Sequence, residues 1–195
     1  MNQAALTRHI GHLTLAVSIV CGATDVLAAP EAQFRSAFAH FIQASSGDTG
    51  SITQAADAFT SLLAAEPANP VLMAYAGSAT AMKATTTMMP WKKMAFAEDG
   101  LAQLDKALAL LGPAHDAPVQ HGTPGVLEVK FVASNTFLAV PGFMNRNERG
   151  AKLLGDVVAH PLLAAAPLAF KGSVWLSAAK EANKAKNTAE AKRFL

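Results

Sequence analysis

GLAQLDKALALLGP, residues 100–113, sets a small residue, then Leu104, Ala107 and Leu108 at helical intervals, then a Gly-Pro stop. Positions i, i+4, i+7 and i+8 fall on one face of an α-helix. The same template recurs as Ala55-Phe59-Leu62 before Pro67 and as Gly150-Leu154-Val157-Val158 before Pro161. A truncated copy runs from Ala191 to Leu195. A small residue heading an apolar stripe lets one helix approach the backbone of the helix before it. The repeated template therefore predicts an all-α fold of stacked antiparallel helical hairpins.

The rest of the composition agrees. Hydrophobic residues make up 51% of the 195 and charged residues 15%, enough apolar side chain to bury a core. Ala is abundant and β-branched residues are sparse in the periodic stretches, which favours helix over sheet. A formal charge of +2 gives no electrostatic case for nucleic acid.

Residues 1–28 read as a signal peptide. Arg8 and His9 form a weakly basic start, Leu13 to Ala23 is an apolar run, and Val26-Leu27-Ala28 offers a cleavage site before Ala29. The run is shorter than the roughly 20 residues that cross a bilayer, and no later stretch is apolar enough to do so. The expectation is a periplasmic or secreted chain, cleaved near Ala28, with a single domain over 29–195 and no transmembrane segment in the mature chain. Cys21, the only cysteine, lies inside the signal, and Val20 before it argues against lipidation.

Start and stop signals divide the domain. Phe34, Phe38, Phe41 and Ile42 stripe a first helix over 30–44. Ser51 with Gln54 reads as a capping box for a second. Asn69-Pro70 opens a third, and Thr85 to Thr87 break it. Pro90 opens a fourth, with Trp91, Met94, Ala97 and Leu101 expected on its inner stripe. Residues 112–125, with three prolines and three glycines, form a long loop. Further helices follow over 126–140, from an Asn147 cap, over 168–185 and from Thr188.

Ala55-Asp57-Phe59-Leu62-Glu66-Pro67, followed by Asn69-Pro70-Leu72-Ala76-Gly77, resembles the second helix of one tetratricopeptide repeat joined to the first helix of the next. That resemblance implies an α-solenoid or short superhelix whose groove captures a protein or peptide partner. The groove would be lined by first helices, with Tyr75, Thr80, Lys83 and Asn135 as its contact residues. Ala55, Gly100 and Gly150 recur at 45 and 50 residues, longer than the family's period of about 34. Either the hairpins carry insertions at 85–90 and 114–125, or the repeat is of the longer HEAT or armadillo kind.

No motif for catalysis stands out, and no cofactor is called for. Gly47-Asp48-Thr49-Gly50 lacks the Lys of a phosphate loop. There is no Gly-x-Ser-x-Gly elbow. His115, Asp116 and His121 offer three metal ligands in one loop, with no fourth nearby. Met82, Met88, Met89 and Met94 surround Trp91, and thioethers suit Cu(I). The expected role is therefore a non-catalytic binding or scaffold module, with a soft-metal carrier built on those methionines as the alternative.

Overall fold

The structure, a computed structural model, describes residues 31–194. The signal-peptide reading lies outside the described residues. Eight helices follow in order: α1 (Glu31–Ser45), α2 (Thr49–Ala65), α3 (Pro70–Met82), α4 (Pro90–Ala109), α5 (Gly125–Ala139), α6 (Asn147–Val158), α7 (Leu168–Lys184) and α8 (Thr188–Arg193). Turns and short 3-10 segments join them. Among the described residues no strand forms, and a lone bridge between Pro118 and Pro124 ties the long loop to itself. The fold is all-α.

Local chemistry explains most boundaries. The Asn69 side chain accepts hydrogen bonds from the backbone N–H groups of Val71 and Leu72 at 3.0 and 3.2 Å, and Pro70 occupies the first helical position. Pro90 does the same for α4. Two starts differ from the sequence reading. α2 begins at Thr49, because Gly47 turns the chain with φ +103° and Asp48 takes the cap. Asp48 accepts from the Gly50 N–H at 3.0 Å and from the Ser51 hydroxyl at 2.6 Å, which holds its carboxyl below the usual range. Asn147 is the first helical residue of α6, not its cap; Asn145 has already turned the chain in the left-handed region, with φ 54°.

Contact registers fix how the helices pair. Ser51 of α2 donates to Gln43 of α1, and Phe59, two turns later, packs on Phe34 and Phe41; the two helices run antiparallel. In α3 and α4, Gly77 meets Gly100 and Leu104, whereas Ala81, one turn on, meets Gly100, again antiparallel. A Cβ on Gly77 would lie 2.8 Å from the Gly100 carbonyl, so only glycine permits this crossing. Gly150 of α6 lies against Phe137 and Leu138 of α5 in the same way. Gly100 and Gly150, which head two of the template copies, are thus points where a helix meets its predecessor.

The second and third hairpins join through their first helices, whereas α2 packs on α3 and α6 on α7 at the other junctions. Tyr75 reaches Glu128 and Ser78 reaches Thr136, so α3 and α5 run parallel. One core, with Phe34, Phe59, Leu72, Leu104 and Phe137, spans α1 to α5. Full burial of each such side chain is worth about 1.5–3 kcal/mol. A second cluster, with Leu127, Val157, Leu163 and Val174, binds α5, α6 and α7.

Candidate functional site

The four residues expected in a groove do not share one surface. Tyr75 is 4% exposed and belongs to the core. Its ring stacks on Phe59 at 4.8 Å and meets Phe34, Phe38 and Phe41 edge to face. It is not a surface contact, because α1, α2 and α5 cover it through Phe34, Phe38, Phe41, Phe59 and Glu128. Thr80 and Lys83 are half-buried near the end of α3, and the Lys83 ammonium lies 5.1 Å from the Phe96 ring centre. Asn135 is half-buried on α5 and donates to the Phe131 carbonyl at 3.1 Å.

Beneath that cover lies a polar centre. The Tyr75 hydroxyl donates to Oε1 of Glu128 at 2.6 Å, in a setting where both residues are buried. The other carboxylate oxygen, Oε2, has no hydrogen-bond partner. Burial pushes the Glu128 carboxyl up to about 7; the Tyr75 hydrogen bond pulls it down and the charge of Glu31 pushes it up further. Burial raises the Tyr75 phenol well above its usual range, and Glu128 raises it again. His121, in the left-handed region with φ 61°, lays its ring on Phe34 and Phe38 at 5.1 and 4.7 Å. The sequence signal for this centre was one acid inside the apolar run Val126 to Val129. Its partner is 53 residues away, so the pair itself was not legible.

The exposed chemistry lies elsewhere, at the start of α4. Trp91 and Met94 were expected inside, on the apolar stripe. Trp91 is instead 69% exposed and Met88 89% exposed, with Met89 and Met94 also open. The reason is geometric. α4 crosses α3 at Gly100, and its first turns run past the end of α3 at Met82, where only the short 83–85 turn follows, so Trp91 and Met94 are left open. Met94 also lines a depression of about 330 Å³ shared with Phe143, Met144, Glu98, Asp105 and Arg146. Phe143, 68% exposed, extends the apolar surface from α4 to the turn before α6. Asp105 holds that turn down. It pairs with Arg146 at 3.0 Å and with Arg149, and both guanidiniums lie over the Phe137 ring.

Met82 packs against the main core, whereas Met88, Met89 and Met94 face outward. The His115 ring nitrogen Nδ1 accepts from the Gly112 N–H at 3.0 Å. Among the described residues no three His, Asp or Glu side chains converge as a metal site. No helix of the described residues is long and apolar enough to cross a membrane. No protein-family model, curated protein or solved structure matches this chain, so the meaning of the α4 surface rests on its own residues.

Proposed function

We propose that this chain is a non-catalytic module of stacked helical hairpins, exported from the cytoplasm, that captures an apolar helical segment of a partner protein on the α4 surface. The observation that carries this reading is the open Trp91 and Phe143, in a chain that buries Phe34, Phe59, Phe137 and Tyr75 almost completely. Exposed aromatic and Met side chains at one place mark an interaction site. Met adapts its shape to different apolar anchors.

Charge narrows the partner. Lys92 and Lys93 follow Trp91 directly, are exposed, and form no ion pair among the described residues. The first turn of α4 adds the positive end of the helix dipole. The partner segment is therefore an amphipathic helix with an apolar face and acidic residues beside it.

Two synthetic helices test this, both with a Leu face, one with Glu and one with Lys on the polar side. Trp91 emission and calorimetry should report tighter binding of the Glu peptide. Trp91→Glu and Met94→Glu should each weaken it at least tenfold, as loss of a central aromatic anchor does, while Lys180→Glu on α7 leaves it unchanged. Equal binding by Trp91→Glu, or no preference between the peptides, would count against the reading.

A further inference from the structure

The Tyr75–Glu128 centre has no role in the α4 surface, and its chemistry points to a different property. We propose that Glu128 is a proton-operated latch: while protonated it lets α1 and the 112–125 loop lie closed on α3 and α5, and loss of its proton releases them.

The geometry supplies the parts. Glu128 stands in the first turn of α5, bonded to the Tyr75 hydroxyl; Phe34 and Phe38 of α1 pack on the Tyr75 ring, and His121 of the loop packs on those two phenyl rings. Oε1 has one donor and Oε2 has none. A neutral carboxyl tolerates that enclosure, whereas a carboxylate needs several donors or a cation. Neither is present. The titratable and charged groups on the surrounding elements are Glu31, Arg35 and His40 of α1, Asp57 of α2, Tyr75 of α3, His115, Asp116 and His121 of the loop and Lys130 of α5. Arg35 is committed to Glu31 at 3.6 Å, and no cation bonds to Glu128 among the described residues. Glu31 opposes a second negative charge below it.

An ionised Glu128 gains hydration only when something moves aside. The α3–α4 pair cannot yield, because its backbones are in contact at Gly77 and Gly100. α1 and the loop are the movable side: α1 meets α2 and α3 through side chains, and the loop closes on itself through the Pro118–Pro124 bridge and short-range backbone bonds such as Val119 to Thr123. Their displacement would uncover Phe34, Phe38 and Tyr75, a second aromatic face that is closed in the protonated form.

Amide hydrogen exchange, corrected for intrinsic rates, tests the latch at about pH 5 and about pH 8.5 on either side of the transition. Protection of α1 and of residues 117–124 should fall on the order of a hundredfold at the higher pH, for a carboxyl shifted to about 7. At that pH α1 should exchange at least tenfold faster than α3 and α4. Glu128→Gln, or Glu128→Leu if the amide does not fold, should abolish the pH dependence. Tyr75→Phe removes the bond that favours the charged form, so its transition should move to higher pH. Unchanged α1 protection, equal exchange of α1 and α3–α4, or a Glu128→Gln profile like that of the parent would overturn the proposal.

Discussion

Glu128 makes stability depend on pH in an unusual direction. Most carboxyls in folded proteins are held below their ordinary value and stabilise as pH rises. Glu128 is raised from 4.5 to about 7, so the folded chain holds a proton that the unfolded chain has lost. Its contribution is complete below about pH 4.5, declines through the interval up to about 7, and is absent above it. A shift of that size corresponds to about 3 kcal/mol. Urea unfolding should therefore give a higher midpoint near pH 5 than near pH 8, and Glu128→Gln should flatten that difference. A wild-type midpoint that rises over this interval would contradict the assignment. Both partners were visible as residue types, Tyr75 as an expected groove contact and Glu128 as an acid in an apolar run. Their meeting was not, because a helical period says which face a residue occupies and nothing about what lies opposite it.

At the level of helices the sequence was more informative. Asn69-Pro70 and Pro90 mark boundaries through chemistry that acts within a few residues, and the structure starts helices there; α4 ends at Ala109, before the Gly112-Pro113 stop. Ser51 and Asn147 misled because a neighbour did the work first: Asp48 took the cap and Asn145 took the turn. The template glycines carry the firmest expectation. A methyl group on Gly100 would run into the Gly77 carbonyl and Ala81, so Gly100→Ala should destabilise by about 1–3 kcal/mol through overpacking. Gly155 of α6 meets nothing within 4 Å, so Gly155→Ala should instead stabilise by about 0.5–1 kcal/mol through helix propensity. Thermal unfolding of the two variants separates close approach from propensity; shifts of the same sign would refute the packing argument.

The whole molecule is a series of neighbouring pairs. Its main core ends at α5, and a second cluster carries α7 on α5 and α6. Removal of 168–194 should therefore leave the first three hairpins folded, with Phe131 and Val157 newly uncovered. Circular dichroism and the near-ultraviolet signal of Tyr75 would show a cooperative but less stable unit. Complete loss of structure would mean that the pairs do not stand on their neighbours in the assumed way. The reach of α4 past α3 was illegible for the same reason as the Tyr75 contact. The stripe through Trp91 continues without interruption in the sequence, while the helix that would cover it stops at Met82.

The crossing of Gly77 and Gly100 has a mechanical consequence. Two backbones pinned at one point can rock together but cannot slide along each other, so the α3–α4 pair acts as a stiff lever. A load taken up at Trp91, on its free arm, is transmitted as tilt to the far end, where Leu104 and Leu72 are embedded among the other helices.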